Sequence, residues 1–115
     1  MRDHKLYLKD ILEAMSSIER FVTGVDFEDF KKNDEKSSAV IKKFEIIGEA
    51  TKNIPENIRQ MYPDVPWKEM AMFRDKLVHF YFGVKYEIVW ATIKDVIPQL
   101  KPEIRKILND LEDGE

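Results

Sequence analysis

The stretch Arg74-Asp75-Lys76-Leu77-Val78-His79-Phe80-Tyr81, followed by Phe82-Gly83, holds one of the two histidines in the chain. Met70, Phe73, Leu77 and Tyr81 recur at three- and four-residue steps, which predicts a helix that opens at Trp67 and ends in this octet. Gly83 is then a left-handed stop just past the last turn. On a helix each residue advances roughly 100° and 1.5 Å, so Arg74 and Tyr81 share a face, roughly 10 Å apart. His79 falls about 140° round from Arg74. One straight helix does not aim both side chains at the same atom. Either the helix distorts near His79, or a second copy supplies the complementary group.

The octet also has informative flanks. The pattern R-x-x-x-x-H-x-Y is followed by Phe82-Gly83-Val84 and then Glu87-Ile88-Val89-Trp90, and is preceded by Ile47-Gly48-Glu49-Ala50 and the Pro63-to-Trp67 segment. In order and spacing these resemble HepT-type proteins, a branch of the HEPN superfamily, over essentially the whole chain. The resemblance implies a single all-α HEPN-like domain over residues 1–115 and a homodimer. It implies the toxin of a type VII-like toxin–antitoxin pair, acting as a metal-independent endoribonuclease. Arg74 and His79 would be its catalytic residues in a cleft at the dimer interface, with Glu49, Asp75 and Lys76 in support. Tyr81 would accept AMP from a cognate minimal nucleotidyltransferase antitoxin, which neutralises the toxin.

Size and composition narrow the field without the resemblance. At 115 residues the chain is one domain with room for a helical core. With no cysteine, disulfides, thiol nucleophiles and cysteine-rich zinc sites are excluded. No apolar run nears the roughly 20 residues of a membrane span, and Met1-Arg2-Asp3-His4-Lys5 opens no signal peptide, so a soluble, cytoplasmic protein is expected. The net charge of -3 gives no global pull toward nucleic acid. Between Trp67 and Lys85, however, Lys68, Arg74, Lys76 and Lys85 outnumber Glu69 and Asp75. A small basic site on an acidic body suits a local RNA contact.

Taken in order, Asp3 caps a first helix reaching Thr23, with Leu8, Ile11, Leu12, Met15, Ile18 and Val22 inward, Leu6 and Phe21 widening that face, and Gly24 as the stop. His4, in the first turn, faces solvent. Phe27 and Phe30 mark a short turn of helix. A second long helix takes Asp34 as N-cap and runs to about Asn53 with Val40, Ile41, Phe44 and Ile47 inward. Gly48 interrupts it at about 1 kcal/mol relative to alanine, for which close approach of a neighbouring helix compensates. Beside it, Glu49 is either a solvated charge or the group that holds Arg74, and the resemblance favours the latter. Pro55 begins a short helix to Met61. After Gly83 a further helix spans Lys85 to Ile97 with Ile88, Val89, Ala91, Thr92 and Val96 apolar, and Pro98 and Pro102 bend the chain toward Ile104, Ile107, Leu108 and Leu111. No strand pattern is legible. The sum is an antiparallel bundle of four to five helices.

The side chains available restrict the chemistry. Two distant histidines and no acidic cluster at ligand spacing argue against a metal, and no other cofactor is implied. Ser16, Ser17, Ser37 and Ser38 fall at exposed helix positions without a triad-like histidine. Arginine and histidine alone suffice for RNA, whose 2′-hydroxyl is an internal nucleophile. An imidazole, with an unperturbed pKa of about 6.5, exchanges that proton near neutrality, and a guanidinium fork matches the non-bridging phosphate oxygens. A non-catalytic helical binding module, or partner subunit of a nucleotidyltransferase, remains the alternative.

Overall fold

The structure is a computed structural model describing residues 3–79 and 83–114, with the backbone alone at 78, 79, 83 and 84. Helix α1 (His4–Val22) starts where the Asp3 carboxylate accepts the Lys5 backbone N–H at 2.9 Å. That bond holds the Asp3 carboxyl below its ordinary range, so the cap is in place at neutral pH and lost as pH falls through the lowered value. The helix ends at Thr23, and Gly24 takes the left-handed turn at φ 73°. Helix α2 (Phe27–Lys32) follows behind an Asp26 cap. Helix α3 (Asp34–Lys52) is capped by Asn33, whose Oδ1 accepts the Lys36 N–H at 2.9 Å, one residue before the expected Asp34. Asp34 is instead the first helical residue, where its charge meets the positive end of the helix. Asn33→Ala should therefore lower stability by about 1 kcal/mol, and Asp34→Ala by no more than about half that. Urea midpoints at unchanged slope measure both. Equal losses would return the cap to Asp34.

The long helices form an antiparallel body with α1 in the middle. The start of α3 lies against the end of α1, where Lys36 Nζ donates to the Phe21 carbonyl at 2.8 Å. On the other side, α8 (Ile97–Asp113) runs back along α1, with ion pairs Lys101–Glu19 at 2.6 Å and Lys9–Glu112 at 3.7 Å toward opposite ends. Both pairs are partly exposed and add at most about 1 kcal/mol each; apolar burial between the helices holds the body together. Leu8, Ile11, Met15, Ile18, Phe44, Ile47, Ile97, Ile104 and Ile107 are all essentially inaccessible to solvent. Leu6 departs from the expected apolar face and is exposed, whereas Ser17 and Ser37 are buried rather than exposed. Each of these hydroxyls is locally satisfied: Ser17 Oγ accepts from Arg20 at 3.1 Å, and Ser37 Oγ donates to the Asp34 carbonyl at 3.3 Å.

Shorter elements close the ends. Helix α4 (Glu56–Met61) starts after Pro55, which is its N-cap rather than its first residue. Arg59 donates to the carbonyls of Thr51 and Ile54, placing a cation on the negative end of α3. The following turn is pinned by Trp67 Nε1 on the Tyr62 carbonyl at 3.0 Å and by the Tyr62 hydroxyl on Asp110 at 3.1 Å. Helix α7 (Tyr86–Ala91) leans on α2 through Phe30, 5.2 Å from the Trp90 ring and 6.3 Å from Tyr86. Between α7 and α8 the backbone widens into a π turn, Thr92–Val96, followed at once by Ile97 and Pro98 at the start of α8. That turn redirects the apolar face. Val89, Ile93 and Ile97 go inward, while Ile88 and Ala91 are exposed, contrary to expectation. Among the described residues no helix is long and apolar enough to cross a membrane.

Candidate functional site

The segment from Trp67 to Val84 is where sequence and structure differ most. The expected continuous helix is two five-residue pieces, α5 (Trp67–Ala71) and α6 (Phe73–Leu77), jointed at Met72. Beyond Leu77 the chain leaves the helix. Val78–His79 forms a strand, β1, antiparallel to Gly83–Val84, β2, with Val78 opposite Val84 and His79 opposite Gly83. Gly83 is thus a ladder partner and not a helix stop. The expectation of no strand is corrected to the same extent. β-Branched Val78 and Val84, paired across the ribbon, suit extended backbone better than a last helical turn.

This break settles the angular conflict between Arg74 and His79. His79 is not on the helix that carries Arg74, so the helical angle between them does not apply. Tyr81, with Phe80 and Phe82, lies outside the described residues.

Arg74 owes its place to its neighbours. Phe73 and Leu77, four apart, are buried, which turns Arg74, Asp75 and Lys76 together to solvent. The Phe73 ring meets Phe44 of α3 edge-on, with centroids 5.4 Å apart and planes at 86°. One turn further along α3, Gly48 faces the joint. A Cβ there would sit 3.2 Å from the Ala71 carbonyl oxygen and 3.5 Å from that of Met70. The close approach expected at this glycine is therefore present, and its partner is the helix leading to the motif. Glu49 is exposed on α3. Among the described residues no ion pair or side-chain hydrogen bond joins Glu49, Arg74, Asp75 or Lys76 to one another. A groove of about 480 Å³ between the Met61–Val65 turn and Pro102–Ile107 contains none of the motif residues.

The joint at Met72 left no mark in the sequence, since neither glycine nor proline occurs there and the apolar spacing runs through it unbroken. What marked it indirectly was Gly48, distant in sequence.

With α3, the jointed α5–α6 pair and the ribbon in place, the family model for ribonuclease HepT-like proteins matches residues 11–107, spanning all of these elements. The chain belongs to the ribonuclease HepT-like family. It is 49% identical to "Probable ribonuclease HepT" of Thermococcus cleftensis, over 92% of this chain and 96% of that one. It is 50% identical to "Putative RNase MJ0125" of Methanocaldococcus jannaschii, over 97% of both chains. A Caldanaerobacter subterraneus relative, "Putative RNase TTE0752", shares 44% over 94% of this chain and 96% of its own. No solved structure matches the chain. The all-α architecture expected of a HepT-like protein is the one observed, with the short ribbon as its single β element among the described residues.

Proposed function

We propose that this HepT-like chain is a metal-independent endoribonuclease, the toxin of a type VII-like toxin–antitoxin pair, whose cleft forms between two copies. The observation that carries this is the family match across an R-x-x-x-x-H motif whose arginine is exposed on a packed helix. His79 takes the proton of a ribose 2′-hydroxyl, and the freed oxygen attacks the adjacent phosphorus. The bond to the 5′-oxygen breaks, and a His79 imidazolium at the cleft gives that oxygen the proton with which it leaves. The products are a 2′,3′-cyclic phosphate, which water opens to a 3′-phosphate, and a 5′-hydroxyl end. Arg74 donates its fork to the non-bridging oxygens as charge gathers there. Asp75 and Lys76 follow Arg74 on the exposed side of α6, and with Glu49, exposed on α3, they would act on the RNA-bound state and not through a contact in the single chain. Control belongs to a separate nucleotidyltransferase antitoxin that transfers AMP to Tyr81.

Cleavage in the presence of a chelator, leaving 2′,3′-cyclic ends, tests the chemistry. RNA that stays intact while a nucleotidyltransferase binds the chain would leave the binding-module alternative in its place. Assembly has its own test. Arg74 stands on open surface in the single chain, and Met72 and Ile88 add exposed apolar area at the α5–α6 joint and on α7. Light scattering at micromolar concentration should give about twice the 13.7 kDa chain mass. A monomer would remove the shared cleft.

A further inference from the structure

Three features of α3 bear on the helix that carries Arg74. Phe44 holds the Phe73 ring, Gly48 lies under the Met70 and Ala71 carbonyls, and the α5–α6 joint at Met72 sits between those two contacts. Arg74 follows Phe73 directly, so the angle at this joint decides where its guanidinium stands above the surface. Gly48 is the support that meets backbone rather than a side chain. A single added carbon would come within 3.2 Å of a backbone oxygen, an atom that cannot rotate away as a side-chain tip would. Relief requires α3 and the backbone at Met70–Ala71, next to the joint, to part by a few tenths of an ångström.

On the site assignment proposed above, we infer that Gly48 is a positioning residue for Arg74: its missing side chain sets the seat of the α5–α6 joint on α3 and hence the reach of the guanidinium to a phosphate. Gly48 touches no substrate. It acts through the backbone of Met70 and Ala71, and its influence on RNA passes through Arg74 alone. The α3 helix itself gains from alanine at this position, since glycine is the poorer helix former, so Gly48→Ala keeps the fold while displacing the joint.

The test is a double-mutant cycle read on binding rather than cleavage. A uniformly 2′-O-methylated oligoribonucleotide keeps the phosphates and lacks the nucleophile. Its affinity is measured from low to moderate salt for the full chain and for Gly48→Ala, Arg74→Ala and the double variant. Arg74→Ala should weaken binding and lower the salt slope by about 1, the share of one neutralised phosphate. Gly48→Ala should weaken binding by about five-fold with a partial fall in slope, as expected where the guanidinium still reaches the phosphate but less closely. In the Arg74→Ala background it should change affinity by less than about two-fold, because coupled positions do not add. Ile107→Val, a buried change in α8, controls for reduced stability and should leave affinity and slope alone. Equal weakening by Gly48→Ala with and without Arg74 would overturn the positioning role in favour of a structural one. So would no weakening at all. If Arg74→Ala itself leaves affinity and slope unchanged, the assignment of Arg74 to the phosphate fails first, and the role of Gly48 falls with it.

Discussion

His79→Ala should leave the protein helical and dimeric and abolish RNA cleavage. Removal of a positioned proton acceptor is expected to lower the rate by roughly 10²- to 10⁴-fold. The fold should survive because His79 stands in a two-residue strand outside the helical body, which keeps its packing. Arg74→Ala should fall by a similar amount, since it removes the donors that meet developing charge, an effect of roughly 10²- to 10³-fold per donor group. Arg74→Lys keeps the charge but not the planar fork, and is expected to fail with it. Each variant is assayed with a chelator present, beside circular dichroism and light scattering on the same preparation. Cleavage that persists in both His79→Ala and Arg74→Ala would assign the nuclease to a contaminant. Loss of helicity in either would make that variant uninformative about chemistry, which is why His79→Gln, a polar replacement of similar reach without a titrating ring, is run in parallel. Full activity in a folded His79→Gln would remove His79 as the proton acceptor.

Tyr81→Phe should escape neutralisation completely. The change keeps the ring and deletes the one oxygen able to accept AMP. With a cognate nucleotidyltransferase, ATP and magnesium, the unaltered chain should gain AMP-sized increments of mass and lose RNA cleavage. Added phosphates would bring negative charge and bulk that oppose the entry of RNA. The phenylalanine variant should gain no mass and stay active, so cells carrying both genes should be poisoned by the variant alone. If Tyr81→Phe takes up the same mass, the acceptor lies elsewhere and the motif tyrosine is structural. Modification of the unaltered chain without loss of activity would make Tyr81 a substrate but not the switch.

The long helices were legible because burial repeats at the helical period over many turns. Leu8 to Val22 in α1 and Val40, Phe44 and Ile47 in α3 came out buried as their spacing required, while Ile41 is only half-buried, and the cap of α3 was misplaced by one residue. The motif segment was misread for a definite reason. Met70, Phe73 and Leu77 keep helical spacing on both sides of the joint, so periodicity cannot register a break that preserves the buried face. Past Leu77, the extended run around His79 was absorbed into the same stripe by Tyr81. After α7 the π turn shifts the register against which Ile88 and Ala91 were read: an i→i+5 turn adds a residue, so that positions four apart, Val89, Ile93 and Ile97, face inward together. Of the site, the sequence supplied Arg74 and His79 as residue types and Gly48 as a place of contact. Which helix meets Gly48 is a tertiary fact, and no local pattern contains it.

Five-residue helices do not persist alone in water, where fewer than about 12–15 residues leave even a good helix former marginal. Pieces α5 and α6 are each that short, whereas α1 and α3 run to 19 residues and α8 to 17. The motif arginine therefore rides on backbone whose order is borrowed from the face of α3. In folding, this segment must come after the long helices have met. In the finished molecule its amide protons should exchange through local opening, at a lower free energy than those of the body beneath it. Durability and chemistry are thereby assigned to different parts of the chain. Drift in the exposed residues of α6 can alter what the protein does to RNA while the long helices hold, but drift on the α3 face spends both at once.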